Sequence, residues 1–247
     1  MDDGPQTLTL PDLSRCLLLL DFDGTLVEIA ATPDGIDVPE DLSDLLTRLG
    51  TATGGALRLI SGRSVEDLER FLPDYRGDIH GGHGAEARLD GQRDALGEDV
   101  LAAAGRVRDA VRAVADRTGL RGEYKATGAV LHYRDDPARQ AEARAEAEAI
   151  VREEPEFEVH AAKMAWEIKP ESANKGHAAE RALAAWPGRI PVMIGDDTTD
   201  EDAMRVVNAA GGLSIRVGGG PTLAQHHLRD PAAVHDMLRR WLKESET

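Results

Sequence analysis

Cysteine is almost absent from this chain: Cys16 stands alone among 247 residues, which excludes an internal disulfide. A single thiol beside an apolar run fits a core position in a reducing compartment, and the expected location is the cytoplasm. Aromatic residues are scarce as well, at 4%, while hydrophobic residues reach 41%. A core is therefore affordable, but it must be built from Leu, Val, Ile and Ala. Basic residues are outnumbered 29 to 45, giving a net charge of −16. That balance argues against a nucleic-acid partner, which needs a basic face, and against an anionic membrane surface. Met1-Asp2-Asp3-Gly4 is acidic and no long apolar run follows it. Neither a signal peptide nor a transmembrane segment is expected.

What the chain does have is a short apolar run that ends in acid. Leu17-Leu18-Leu19-Leu20 reads as a strand buried on both faces, and Asp21-Phe22-Asp23-Gly24-Thr25-Leu26 follows at once. A lone buried carboxylate costs several kcal/mol, so two at a strand end must meet donors or a cation. An acidic turn open to water is the competing reading of Asp-x-Asp alone. Downstream, Leu42, Leu45, Leu46 and Leu49 repeat at helical spacing, with Gly50 as the expected stop. Residues 56–60 read as a second strand ending at Ser61-Gly62-Arg63, and Ser64 as the cap of the next helix. Strand, helix, strand, helix predicts a parallel sheet whose ligands gather at the carboxyl ends of its strands. Residues 79–84 read as a short strand entering a glycine-rich loop, followed by a hairpin at 87–91.

The pattern changes near residue 97. A helix to Gly119, strands around 123–125 and 130–134, an Ala-rich helix opened by Pro137, and strands at 157–160 and 163–168 lack parallel alternation. The expected architecture is therefore α/β: a Rossmann-like core of residues 1–96 and 169–247, with helices on both faces of a parallel sheet. Residues 97–168 form an inserted, smaller α+β cap. The core pattern resumes with a helix at Lys175-Gly176, the strand Pro191–Ile194 and the run Gly195-Asp196-Asp197-Thr198-Thr199-Asp200-Glu201-Asp202. Thr198 or Thr199 is the expected cap of the helix after it. A strand at 213–217 and a purely structural last helix from Asp230-Pro231 complete it.

Two strand-end clusters, Asp21/Asp23 and Asp196/Asp197/Asp200, would both be explained by one shared cation. All-oxygen donors and no histidine or cysteine suit Mg²⁺ rather than Zn²⁺. Lys175 at a helix start opposes the helix dipole and so points to a nearby anion.

Asp21-x-Asp23, Ser61, Lys175 and Gly195-Asp196-Asp197-x-x-Asp200 resemble, in order, the four motifs of haloacid dehalogenase superfamily phosphotransferases. Ser61-Gly62-Arg63, Gly82-His83-Gly84-Ala85-Glu86, Lys125-x-x-Gly128 with His132-Tyr133-Arg134, Glu167-x-Lys169-Pro170, Lys175-Gly176 and the Thr199-Asp200-Glu201 tail narrow this further. Together they resemble the trehalose-6-phosphate phosphatase family over residues 17–217. The resemblance implies a Mg²⁺-dependent phosphatase with Asp21 as nucleophile and Asp23 as general acid and base. Ser61 and Lys175 would hold the phosphoryl group, Asp21, Asp23 and Asp196 the metal, and Thr25, Arg63, Asp197 and Asp200 the site's order. Gly82, His83, Lys125, His132, Arg134, Glu167 and Lys169 would contact the sugar. For the cap residues, a charged sheet face is the competing reading. Where the family carries Gly-Asn-His-Gly, this chain has Gly81-Gly82-His83-Gly84. Another capped sugar phosphatase or a sugar phosphomutase fits the same core, and a non-catalytic regulatory domain fits the fold. The expected partner is a small sugar phosphate; the sequence leaves oligomeric state open, and a monomer suffices.

Overall fold

A computed structural model describes residues 8–246 apart from 31, 33, 95–97, 126 and 172. The expectations placed on Met1–Gly4, on Pro33 and on the 96/97 junction lie outside the described residues. Two compact units emerge, one of residues 1–94 with 174–247 and one of residues 95–173.

The first unit is built on β1 (Cys16–Leu20), flanked on one side by β10 (Ile190–Gly195) and on the other by β2 (Leu57–Ile60). Beyond β10 lie β11 (Leu213–Val217) and β12 (His226–Leu228); beyond β2 lies β3 (Asp78–Gly81). All of these pairings are parallel, and β4 (Glu86–Leu89) and β5 (Gln92–Asp94) extend the sheet as an antiparallel edge. The Leu17–Leu20 run is apolar throughout because both faces are covered. Side chains alternate across a strand. Leu18 and Leu20 accordingly enter one core with α1 (Leu42–Ala52), α2 (Val65–Phe71) and α7 (Pro231–Ser245). Leu17 and Leu19 enter another with α5 (Lys175–Ala185) and α6 (Asp200–Ala209). Cys16 is buried in the first of these, its Sγ 3.2 Å from the Asp12 carbonyl, and burial pushes the thiol up to about 12.

Two helix ends of this unit differ from the sequence reading. α1 runs through Gly50 to Ala52, and the reversal is made by Gly54 and Gly55, both at positive φ. A single glycine inside a helix costs about 1 kcal/mol, and the buried face of Leu42, Leu45, Leu46 and Leu49 outweighs it. Ser64 caps α2 as expected, accepting from the Asp67 amide at 3.0 Å. Thr199 occupies the cap position of α6, but its side chain makes no capping bond. Asp197 serves instead: its Oδ1 accepts from the Thr199 and Asp200 amides.

The second unit is a four-stranded antiparallel sheet, β6 (Arg121–Lys125), β7 (Gly128–His132), β9 (Ala165–Pro170) and β8 (Phe157–Ala162), in that order. Leu131, Ala129, Ile168 and Phe157 share a core with α3 (Glu98–Thr118) and α4 (Gln140–Glu153). Among the described residues no helix is long and apolar enough to cross a membrane.

His80 on β3 is 2% exposed, and its Nδ1 has no partner. Burial, reinforced by the Arg181 and Arg58 charges, lowers its pKa to about 4. Below the ordinary value of about 6.5 the unfolded chain takes a proton that the folded chain refuses, so stability falls as pH drops from there towards 4. Replacing His80 by Leu should flatten this slope by up to about 3 kcal/mol between pH 7 and 4. Urea denaturation of both proteins across that range measures it; parallel curves would mean that His80 takes its proton in the fold as readily as in the unfolded chain.

Candidate active site

The carboxyl ends of β1, β2 and β10 lie side by side, so three segments far apart in sequence deliver their side chains to one place. Asp21 follows β1, Ser61 follows β2 and Asp196 follows β10; α5 brings Lys175 from the next layer. Lys175 is 3% exposed and places its Nζ 2.7 Å from both Asp21 Oδ1 and Asp200 Oδ1. Asn174 caps α5 by accepting from the Gly176 amide.

Asp200 is the anchor of the acidic loop. Its Oδ2 accepts from the Asp196 and Asp197 amides at 3.0 and 3.1 Å, and the side chain is fully buried. The second oxygen of Asp21 accepts from Thr25 at 3.2 Å. Burial works against the charge of Lys175, but Asp21, Asp200 and Asp197 more than offset it, so the ammonium holds its proton more tightly than an ordinary lysine. Burial, followed by the carboxylates of Asp200 and Asp197, raises Asp196 to about 6. Asp21 is raised to about 6 as well, mainly by burial, with Lys175 pulling the other way.

Asp23 is held differently. Arg63 grips it with a two-pronged fork, Nε to Oδ2 and Nη2 to Oδ1, each at 2.7 Å. The guanidinium is backed by the rings of Phe22 and Phe71 at 5.9 and 4.8 Å. Both carboxylate oxygens of Asp23 are thus engaged by Arg63, and the main-chain carbonyl is the other oxygen that Asp23 offers to a cation. The carboxylates that converge are Asp21, Asp196 and Asp200, with oxygens within 4.8 Å of one another. Since Asp200 is fully engaged by Lys175 and two amides, Asp21 and Asp196 are the pair best suited to a cation. Two raised carboxylates facing each other are the donor chemistry that a hard divalent ion fits. Gly24 makes their approach possible. At φ +76° its ideal Cβ would stand 2.1 Å from Asp196 Oδ2.

These groups line an open cleft of about 670 Å³, with His83 at its wall. His83 sits at φ 59°, and its ring rests against Gly62, where a Cβ would stand 2.6 Å from Cε1. Ser61 is buried, and its Oγ accepts from the Arg63 amide. In the second unit, strand register places Glu123, Lys125, His132, Glu167, Lys169, His160 and Glu158 on one sheet face. Lys125 Nζ is 2.6 Å from Glu167 Oε1, and His132 Nε2 is 2.9 Å from Glu123 Oε2. Arg134, past the end of β7, donates to the Lys163 carbonyl.

The trehalose-phosphatase family model matches residues 19–235, from the first strand to the last helix. The chain belongs to the trehalose-phosphatase family. A trehalose-6-phosphate phosphatase of Escherichia coli is 36% identical over 243 residues, 94% of this chain and 88% of that protein. The structure of Aspergillus fumigatus trehalose-6-phosphate phosphatase superposes with a TM-score of 0.80 at 26% identity, covering 98% of this chain and 100% of that one. A phosphatase of the haloalkanoate dehalogenase superfamily from Bacteroides thetaiotaomicron shares the fold, with a TM-score of 0.61 at 14% identity over 96% of this chain and 99% of that one. The α/β core expected from the sequence has the same fold as that phosphatase.

Set against that family, the structure adds residues that the sequence reading passed over. Arg63 was expected only to support the site, yet it takes both oxygens of Asp23. His235, on the helix read as purely structural, is 6% exposed, and its Nε2 lies 2.8 Å from the Leu26 carbonyl. That nitrogen must carry the proton, and it fixes the exit of the turn that bears Asp23 and Gly24. Glu201 and Arg216 meet at 3.0 Å beside Asp197. In the trehalose-phosphatase loop at residues 81–84, Gly82 adopts φ 55°, a conformation that glycine takes at little cost.

The buried triad gives a stability prediction. Lys175→Met would leave Asp21 and Asp200 without their shared counter-charge, and breaking a buried pair costs about 3–5 kcal/mol. Urea denaturation at pH 8 should show a loss of that order; a loss under about 1 kcal/mol would mean that water reaches the three groups.

Proposed function

We propose that this chain hydrolyses trehalose 6-phosphate to trehalose and inorganic phosphate, in trehalose biosynthesis, through an aspartyl-phosphate on Asp21. The observation that carries the reading is the ammonium of Lys175 fixed on Asp21 at the carboxyl edge of the sheet, beside Asp23 and Asp196. Family membership supplies the substrate class.

Asp21 attacks phosphorus while the bond to the sugar oxygen breaks, and Asp23 gives that oxygen a proton. A water then attacks phosphorus, Asp23 takes its proton, and the bond to Asp21 breaks to restore the carboxylate. Asp23 must slip the Arg63 fork to offer its proton, so Arg63 sets when the acid is available. Lys175 and Ser61 hold the phosphoryl oxygens through charge and hydrogen bonding. Asp21 and Asp196, with the Asp23 carbonyl, would hold Mg²⁺, which supplies charge neutralisation at the phosphoryl group. Asp200 and Asp197 keep the loop that carries Asp196 in order. Residues 95–173 act as the cap in this reading. Lys125, His132, Arg134, Glu167 and Lys169 are the sugar-contact candidates of that unit, and Gly82 and His83 those of the core. Charged donors and acceptors suit a polyhydroxylated, uncharged disaccharide.

Phosphate release from trehalose 6-phosphate, measured beside glucose 6-phosphate and sucrose 6-phosphate, should favour the first, require Mg²⁺, and vanish in Asp21→Asn. Turnover by a folded Asp21→Asn protein would sink the covalent step. Return of the phosphoryl group to sugar, with no free phosphate, would make the enzyme a mutase.

The sugar contacts have a separate test. Glu167→Ala removes charged hydrogen bonds and should cost about 2–4 kcal/mol in kcat/KM for trehalose 6-phosphate. Part of the loss should fall on kcat, because binding energy from the remote sugar is realised in the transition state. Hydrolysis of p-nitrophenyl phosphate, which has no disaccharide to hold, should hardly change. Equal losses on the two substrates would place Glu167 in the fold or the phosphate site instead.

A further inference from the structure

Asp196 and Asp197 sit on a short loop between β10 and α6, and the loop's peptides are held from two sides. Their amides point to Asp200, buried behind them. The carbonyl of Asp197 points the other way and is met by Arg216 Nη1 at 3.0 Å. Arg216 stands on β11 in register with Gly195, the residue just before the loop, so its side chain emerges beside it. The same Nη1 donates to Glu201 Oε1 at 3.0 Å, and both side chains are mostly buried. Glu201 is saturated: Oε1 also accepts from Thr222 Oγ1 and Oε2 from the Leu223 amide, each at 2.7 Å. Those two residues belong to the segment 218–225, which opens with three glycines. One carboxylate therefore ties a glycine-rich loop to the first turn of α6 and aims an arginine at the acidic loop.

We propose that Arg216, held by Glu201, is a positioning residue that sets the cation affinity of the Asp21/Asp196 pair. The inference rests on the cation reading given above. The bonds of Arg216 run to the Asp197 carbonyl and to Glu201, not to the Asp21 or Asp196 side chains. The arginine acts through the Asp197 carbonyl, by fixing the Asp197–Thr198 peptide that follows the two peptides held by Asp200. A carbonyl released from Arg216 would let the loop turn about its Asp200 anchor, and Asp196 would lose its fixed direction. Partners outside the ligand set typically change metal affinity 10–100-fold when removed. The glycine-rich segment enters the same linkage. Whatever loosens residues 218–225 loosens Glu201, and with it the cation site.

The test uses Mn²⁺ alone as the probe, with bound and free ion separated by electron paramagnetic resonance in the full chain without substrate. Arg216→Met and Glu201→Gln should each weaken Mn²⁺ binding by about tenfold. Arg216→Lys, which keeps the charge and one donor, should recover part of the loss. At saturating Mg²⁺, kcat for trehalose 6-phosphate should stay within a few-fold of the wild type. Folded variants that bind Mn²⁺ as the wild type does would overturn the proposal and leave Arg216 a purely structural residue. Should Arg216→Met fail to fold, Glu201→Gln decides, since it alters only one charge and keeps the side chain's size. Asp196→Ala is the control for the underlying reading. If it binds Mn²⁺ undiminished, or if the wild type binds none, the cation site itself is misassigned and the proposal falls with it.

Discussion

Everything at this site depends on one buried ammonium. Lys175 is shut away from water and lies equidistant from Asp21 and Asp200. Two carboxylates and one cation at such depth would not be tolerated as separate charges. They are tolerated because the remaining oxygens also find donors: Thr25 for Asp21, and the amides of Asp196 and Asp197 for Asp200. The triad is thus a joint between four pieces of chain: the end of β1, the start of α5, the acidic loop and the first turn of α6. Orienting the nucleophile and fixing the metal loop become one structural event.

The sheet explains why residues 21 and 175, separated by 154 positions, meet at all. With β10 and β2 on either side of β1 and all three parallel, their carboxyl ends open at one edge. Right-handed crossovers then set helices at that edge with their amino ends nearby. Of these, α5 carries Lys175 in its first turn and α6 carries Asp200 in its first turn. The arrangement puts a lysine where the helix dipole disfavours it, and the two carboxylates it meets supply the compensation.

Much of this was legible because it is local. The four-leucine strand, the acids at its end and Lys175 at a helix start are each readable within a few residues, and their order along the chain matched known motifs. What escaped the reading is non-local or hidden in position. Arg63 was legible as part of Ser-Gly-Arg, but its grip on Asp23 across 40 residues is not. His235 reaches Leu26 across 209 residues, and nothing around it in the sequence marks it off from its neighbours on α7. Arg216 sits in an alternating strand whose other face of Leu213, Ile215 and Val217 enters the core, and nothing local marks its bond to the acidic loop. Gly50 and Thr199 failed for the opposite reason. Each has the right local chemistry for an end or a cap, but the apolar face of α1 and the carboxylate of Asp197 outcompete it.

Charge balance ties the site to the composition of the whole chain. A protein of net charge −16 is proposed to bind a phosphate ester, which is itself an anion. Asp21, Asp23, Asp67, Asp196 and Asp197 line the cleft against Arg63 and Lys175, a surplus of three acids when all are ionised, and Arg216 is already paired with Glu201. Burial and mutual repulsion raise Asp21 and Asp196 to about 6 and Asp200 to about 7. A divalent cation between Asp21 and Asp196 would offset most of this surplus without adding a basic side chain. Phosphate would then be selected by the direction of donors, not by bulk attraction. A third fixed lysine in the same place would attract phosphate as well, but it would hold the product anion too and would pair with the nucleophile. On this reading the acidic composition is compatible with an anionic substrate because the missing positive charge arrives with the metal.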